Sequence, residues 1–246
     1  MHAEQIYAYI NEIAPFAAQE SWDNSGFQVG SCKKEVQKIL FALDATMDLV
    51  QEAAASACDL IVTHHPFLFR AQKQFLADSP AFQAAKHNIA VISAHTSYDC
   101  AAGGVNDVLA EVVGLTEITP SDCGFFRIGS VPEQSVKDFA ETVQIALNTR
   151  VSVSLPEKKI RRVAVCGGAG ADFIADAKAQ GADVLLTGEA KHHEILDAAD
   201  LGLAVVCAGH FETELPAVRA LCDRVQTQYP QLTCILSKQT SPIFSV

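Results

Sequence analysis

Short apolar runs recur along the chain and predict buried strands. Runs of this kind, bounded by turn residues, are typical of strands that are covered on both faces of a parallel sheet. The predicted strands are 39–43, 60–63, 89–95, 162–165 and 182–187. Between them, apolar residues recur at helical spacing, as in 48–57 and 136–147. Such βαβ units predict an α/β fold with mostly parallel strands and right-handed crossovers.

The apolar pattern also repeats itself within the chain. Two pairs of segments align without a gap at an offset of 124 residues and a third pair aligns at 115: 38–41 with 162–165, 58–63 with 182–187, and 94–99 with 209–214. Any two βαβ units share an apolar pattern, but the gapless alignment of the first two pairs, with a shared Asp and Thr, favours a duplication. The sequence therefore predicts two related α/β domains whose sheets face a shared metal-containing cleft.

The domain limits follow from the repeat and from turn residues. We expect a first domain over 1–120 and a second domain over 121–224, separated at the turn-rich stretch 116–123. The last segment, 225–246, is a candidate for packing back onto the first domain.

Composition narrows the class of protein. The 246 residues carry a net charge of −11, which disfavours a nucleic-acid partner because such binding depends on clustered Lys and Arg. The eight cysteines form no CxxC pair, as expected of buried thiols in a reducing compartment. Residues 1–16 have the pattern of an amphipathic helix, not of a signal peptide, and no apolar run approaches the ~20 residues that cross a bilayer. We therefore expect a soluble cytoplasmic protein.

Histidine and carboxylate side chains follow the predicted strand ends, where ligands bind in open α/β sheets. His64 and His65 follow the run 60–63. Because consecutive strand residues point to opposite faces, each imidazole is expected to take one ion of a pair about 3.5–4 Å apart. Pooled across the repeat, the predicted metal ligands are His64, His65, Asp99, His210 and Glu214. This set favours two divalent transition-metal ions per subunit, chosen among Zn, Fe, Mn and Ni.

Other residues are candidates for substrate contact or for support of the ligands, namely His95, Lys191, His193, Trp22 and Asp23. Each has a structural alternative: His95 fits a core histidine, Lys191 and His193 the polar start of a helix, and Trp22 a packing anchor. The glycine-rich turn 167–170 follows a strand and opens a helix, so its N–H groups are a weak candidate for binding phosphate. The histidine pair alone also fits a solvated turn.

These motifs together resemble the family known as GTP cyclohydrolase type-2-like or NGG-interacting-factor-three-like proteins. The matching stretches are Trp22-Asp23-Asn24, Thr63-His64-His65-Pro66, Ala94-His95-Thr96 with Asp99, Gly167-Gly168-Ala169-Gly170, Thr187-Gly188 with Lys191 and His193, and Gly209-His210 with Thr213-Glu214. The resemblance implies two α/β domains, a two-metal cluster on the five ligands above, and a ring-shaped homohexamer. Glu189 and His192 stand where the family usually has Asp and Tyr, and neither departure removes a predicted metal ligand.

The expected function is metal-dependent hydrolysis. Water activated by the two ions would attack a phosphoester or a ring carbon–nitrogen centre, and the family's cyclohydrolase label implies a purine nucleotide such as GTP. A small anionic molecule is the broader substrate class. The alternative is a metal-binding regulatory or scaffold protein that turns nothing over.

Overall fold

The apolar runs form strands, and the segments at helical spacing form helices, in the computed structural model, which describes residues 1–243. The strands are β1 Gly26–Val29, β2 Lys38–Ala42, β3 Leu60–Thr63, β4 Ala90–Ser93, β5 Thr116–Pro120, β6 Arg127–Ser135, β7 Ser152–Val153, β8 Lys159–Cys166, β9 Val184–Thr187, β10 Ala204–Cys207 and β11 Thr233–Leu236. The helices are α1 Ala3–Ile13, α2 Met47–Ala55, α3 Pro80–Lys86, α4 Thr96–Cys100, α5 Val105–Val112, α6 Val136–Leu147, α7 Ile174–Ala179, α8 His192–Asp200 and α9 His210–Gln228.

The α/β class is confirmed, and the chain divides into two compact units. The first unit contains Met1–Ala102 and Ala217–Thr240, and the second contains Gly103–Pro216 with the segment that begins at Ser241. One division therefore falls inside helix α9. The domain limits predicted from the sequence lie at 120 and 224 instead.

The sheet of the first unit has the order β1-β4-β3-β2-β11. Strands β4, β3, β2 and β11 are parallel, and β1 closes one edge in the antiparallel direction. Every residue of β3 and β4 is buried, as their continuous apolar runs predict. Leu40, Ile61 and Val91 share one core cluster with residues of α2 and α3.

The sheet of the second unit is mixed and has the order β5-β6-β8-β9-β10-β7. Its central strands β8, β9 and β10 are parallel, whereas β5, β6 and β7 pair in the antiparallel direction. Alternate residues of β9 face opposite sides: Val184 and Leu186 join one core cluster and Leu185 joins another. Burying such side chains contributes roughly 1.5–3 kcal/mol each.

The predicted turn-rich boundary at 116–123 is wrong for its first half. Residues 116–120 form β5, an edge strand that pairs with β6. A register irregularity lies between Thr116 and Thr119, and Glu117 has φ +52°. This bulge interrupts the alternation by which a strand is recognised in sequence.

The strand register confirms the first part of the repeat. Ile39 lies opposite Leu60, and Val163 lies opposite Val184, so the second pair follows the first by 124 residues in both strands. The offset of 115 for the third pair of segments is wrong. Thr63 pairs with Ser93 and Thr187 with Cys207, which sets that offset to 114.

The register therefore changes one predicted equivalence. Helices α4 and α9 begin 114 residues apart, at Thr96 and His210. His95 corresponds to Gly209 and not to His210. Matching His95 to His210 would require one additional residue in the second unit, and the strand pairing contains no such residue.

Candidate metal centre

His64 and His65 lie just beyond the carboxyl end of β3. Their backbone N–H groups extend the hydrogen bonding between β3 and β2: that of His64 donates to Ala42 O at 3.2 Å, and that of His65 donates to Leu43 O at 2.9 Å. The hydroxyl of Thr63 donates to His65 O at 2.8 Å and stabilises this turn. The predicted alternation of the two side chains is wrong, because the pleat ends at Thr63. The two ring centroids are only 5.1 Å apart.

Each of three imidazoles in the first unit is held at Nδ1 by an oxygen acceptor. Nδ1 of His64 donates to Ala94 O, and Nδ1 of His65 and His95 donates to the carboxylates of Asp44 and Asp23, all at 2.8 Å. A carbonyl or carboxylate can only accept, so the proton lies on Nδ1, and Nε2 of the neutral imidazole carries the lone pair. This is the usual arrangement behind a metal-ligating histidine.

The donor atoms of the first unit lie close together. His64, His65 and His95 each offer a ring nitrogen, and these three atoms lie within 4.8 Å of one another. Asp99, on α4, brings its Oδ1 to 3.6 Å from Nε2 of His64. Three imidazoles and one carboxylate form a donor set suited to a first-row transition metal. The first unit could therefore hold a metal ion with residues at the ends of β3 and β4.

The side chain of Asp23 is fully buried behind His95. Besides His95, it accepts hydrogen bonds from Ser25 Oγ at 3.0 Å and from Thr96 N at 3.0 Å. Burial of this carboxyl opposes ionisation, but the hydrogen bonds from His95 and Thr96 outweigh burial and hold the pKa of Asp23 well below its usual value. Asp23 therefore orients the imidazole, which is one of the two roles predicted for it.

His210 and Glu214 lie on the first turns of α9. Four residues apart, they share one helix side, and Nε2 of His210 lies 3.3 Å from Oε1 of Glu214. Nδ1 of His210 donates to Oε1 of Glu189 at 3.0 Å. Glu189 follows β9 at the position that the repeat assigns to His65. The second unit thus presents the imidazole of His210, which the carboxylate of Glu189 orients, and the buried carboxylate of Glu214.

The glycine turn after β8 does not offer its N–H groups to a ligand. The N–H of Gly167 donates to Asn106 Oδ1 at 2.8 Å, that of Gly168 to Thr213 Oγ1 at 3.0 Å, and that of Gly170 to Thr187 Oγ1 at 2.9 Å. These three donors are satisfied inside the second unit. The predicted phosphate site at this turn is therefore not formed by them.

The same turn makes room for the His210–Glu214 pair. Gly168 has φ +62°, and a Cβ on it would lie 2.2 Å from Oε1 of Glu214 and 3.0 Å from Nε2 of His210. A Cβ on Gly188 would lie 2.6 Å from Gly168 O and 2.7 Å from Cα of His210. Contacts under 3.0 Å force a neighbouring atom to shift, which is a side-chain end at Gly168 and the backbone at Gly188. Glycine at both positions therefore allows this close approach without a shift.

Lys191 and Glu194 pair with each other at the start of α8. Lys191 Nζ lies 2.9 Å from Glu194 Oε1, and this hydrogen bond raises the pKa of Lys191. Glu194 accepts from the Lys191 N–H, which lowers the pKa of its carboxyl. Both residues line a cavity of about 280 Å³ together with Asp172 and Glu189. The three carboxylates of Asp172, Glu189 and Glu194 outnumber the single ammonium of Lys191, so the charge of this cavity does not favour binding of an anion. His193 lies exposed on α8.

The acceptors behind His64 and His65 were not predicted from the sequence. Asp44 follows β2, the neighbour of β3, and its carboxylate holds His65. Its signal was a carboxylate at the end of an adjacent parallel strand. Thr187 and Thr213, which hold the glycine turn, gave no signal because their partners are backbone groups distant in sequence.

Comparison with known proteins identifies relatives over the whole chain. The profile of the family described as Duf34/NIF3 (NGG1p interacting factor 3) matches residues 1–242. The chain is 33% identical to the GTP cyclohydrolase 1 type 2 homolog of Clostridium perfringens, with 99% of each chain covered. It is 28% identical to NIF3-like protein 1 of Drosophila melanogaster, with 89% of this chain and 81% of that protein covered.

Solved structures have the same fold. The hypothetical protein SA1388 of Staphylococcus aureus superposes with a TM-score of 0.94 at 26% identity, covering 100% of this chain and 99% of that chain. Reduced HcgD from Methanocaldococcus jannaschii superposes with a TM-score of 0.86 at 29% identity, covering 97% and 98%. Among the helices of residues 1–243, none combines the length and apolar character that crossing a bilayer requires.

Proposed function

Because this chain belongs to the Duf34/NIF3 family, we propose that it is a dinuclear metal-dependent hydrolase. The proposed ligands are His64, His65 and Asp99 from the first unit, and His210 and Glu214 from the second. The proposed ions are two divalent transition-metal ions per chain, drawn from Zn, Fe, Mn and Ni.

The observation that carries the proposal is the histidine cluster of the first unit. Three imidazoles offer ring nitrogens within 4.8 Å of one another, and each is fixed at Nδ1 by its own acceptor. Packing alone does not account for this arrangement, since burying polar rings is unfavourable unless their polar atoms are used. A metal ion would use the Nε2 atoms, and the carboxylate of Asp99 would offset its charge.

Bound divalent ions supply Lewis-acid chemistry, polarising a phosphoryl or ring carbon centre and lowering the pKa of water. The protein's own contribution is positional. Asp44 and Asp23 hold the imidazoles in one tautomer and one orientation, and Glu189 does the same for His210. The reaction adds water across a phosphoester or a ring carbon–nitrogen bond and needs no redox partner.

The substrate class is proposed from the relatives. Several are named GTP cyclohydrolase 1 type 2 homolog, which makes a nucleotide the first candidate for this chain. A panel of purine nucleotides and simple phosphoesters covers both types of bond.

The test combines elemental analysis with that panel. We expect the purified protein to bind metal and to hydrolyse at least one member, and His65→Ala to lose both metal and turnover. His87→Ala is the control, because His87 is an exposed histidine at the end of α3. Equal metal content in His65→Ala and the unaltered protein would contradict the proposal. Retained metal with no turnover of any member would favour the regulatory or scaffold alternative.

We also propose that the chain forms a homohexameric ring, as the family resemblance implies. Sedimentation velocity should then give a single species of about six chain masses. A monomer or dimer at micromolar concentration would contradict this assembly.

A further inference from the structure

Two large aromatic side chains are exposed beside the histidine cluster of the first unit. Trp22 is 57% exposed and Phe69 is 42% exposed. Their ring centroids are 5.8 Å apart, and they lie 6.0 Å and 5.9 Å from that of His95. A single exposed aromatic residue is ordinary on a protein surface, but adjacent exposed rings next to a polar cluster mark a binding surface.

The loops that carry the two rings are tied to each other. Asn24 Nδ2 donates to Leu68 O at 2.7 Å, and Leu68 N donates to Gln28 Oε1 at 2.9 Å. The side chain of Asp23, next to Trp22, is fully buried and accepts from the N–H of Thr96. The rings are therefore exposed on a backbone that hydrogen bonds hold in place, so less conformational freedom is lost when a ligand covers them.

The arrangement of the rings favours a flat, polar-edged ligand. Trp22, Phe69 and His95 meet edge to face, with interplanar angles of 60° to 72°. More than half of the Trp22 surface remains open to a further ring. A heteroaromatic ring can stack there and direct its polar edge to the histidines and carboxylates, which an aliphatic ligand cannot do.

We propose that Trp22 and Phe69 form a stacking platform for a planar nitrogen heteroaromatic ring, such as a nucleobase. The platform is a specificity determinant for the site of the proposed function, on which this inference rests, and it places the ring next to His95. It predicts that recognition depends on the ring more than on a sugar or phosphate attached to it.

The chain contains a built-in reporter, because Trp22 is its sole tryptophan. Guanosine monophosphate and ribose phosphate are titrated against the full-length protein while the indole fluorescence is followed. We expect guanosine monophosphate to quench Trp22 saturably and ribose phosphate, which lacks the ring, to leave it unchanged. Equal quenching by both, or no quenching by either, would overturn the platform.

Two pairs of variants test the residues. Phe69→Leu should weaken binding of guanosine monophosphate about tenfold, the scale of one lost stacking partner. Phe82→Leu is the matched control, since Phe82 is also exposed but lies on α3 outside the ring cluster. In equilibrium dialysis Trp22→Leu should lose affinity to a similar extent, and Trp22→Phe, which keeps a ring, should restore most of it. Equal losses in Phe69→Leu and Phe82→Leu would contradict the assignment.

Running each titration with and without metal separates this inference from the proposed function. Ring-specific quenching in a protein that binds no metal would support the platform and contradict the metal-dependent hydrolase. Tight metal binding with no ring-specific quenching would do the reverse.

Discussion

The two units present candidate metal ligands at equivalent strand ends in different ways. In the first unit, acceptors at Nδ1 fix the imidazoles that follow β3 and β4. In the second unit, the corresponding positions after β9 hold Gly188 and Glu189, and the imidazole and carboxylate come from α9. There the backbone of Gly168 and Gly188 lies against His210 and Glu214 and limits the space for them. Hydrogen bonds alone do not set their positions. The same βαβ frame thus sets side-chain geometry either by hydrogen bonds or by omitting a Cβ.

The largest expected effect comes from filling the space at Gly168. In Gly168→Ala the new Cβ meets Oε1 of Glu214, which is the end of a flexible side chain and can move away. We therefore expect the variant to fold but its metal affinity to fall about a hundredfold, the upper range for changes behind metal ligands. Titration with a metal-sensitive chelator measures the affinity.

Gly114→Ala is the control for backbone strain. Gly114 also has positive φ, +79°, but nothing lies within 4 Å of its Cβ position. Both variants should lose about 1 kcal/mol of unfolding free energy from the left-handed conformation, and only Gly168→Ala should lose metal. Equal metal affinities in the two variants would show that the glycine turn does not position Glu214.

Gly188→Ala should separate folding from ligand geometry in the same region. Its Cβ meets backbone atoms, Gly168 O and Cα of His210, which cannot move independently of the chain. We expect a lower melting temperature here than in Gly168→Ala, measured by thermal unfolding. A melting temperature equal to that of the unaltered protein would mean that the backbone shifts at little cost.

Most of the fold could be predicted from the sequence because its strands are continuous apolar runs. Strands β2, β3 and β4 are buried on both faces, so their composition identifies them without knowledge of their neighbours. The edge strand β5 could not be predicted, since it is mostly exposed and carries a bulge at Glu117. The offset of the last repeat segment depended on a ladder that only the structure provides.

The histidines of the candidate site were predicted, but the acceptors that hold His64 and His65 were not. His64 and His65 follow an apolar run and are visible as letters in the chain. Which nitrogen faces a metal depends on acceptors such as Asp44 and Ala94, which neighbouring strands bring within 2.8 Å. Likewise the role of Gly168 depends on a contact with α9, more than 40 residues further along the chain.

A smaller effect is expected from the acceptor behind His65. Asp44→Asn keeps the shape but replaces a carboxylate, which accepts from Nδ1 of His65, by an amide with weaker acceptance and a competing donor. Metal affinity should fall about tenfold, the lower range for such changes, because the Asp44 side chain is 36% exposed. Asp48→Asn, an exposed aspartate on α2, should leave the affinity unchanged. An effect of Asp48→Asn as large as that of Asp44→Asn would point to general electrostatics and not to orientation.

The smallest effect is expected from Glu189, the acceptor behind His210. Its side chain is 58% exposed, so water can replace much of the hydrogen bond that Glu189→Gln weakens. The glycine turn remains in place and continues to limit the positions of His210 and Glu214. We therefore expect metal affinity to fall only about threefold, less than in Asp44→Asn, with Glu157→Gln as the exposed control. A larger loss in Glu189→Gln than in Asp44→Asn would reverse the comparison, because hydrogen bonding would then position the ligands of both units.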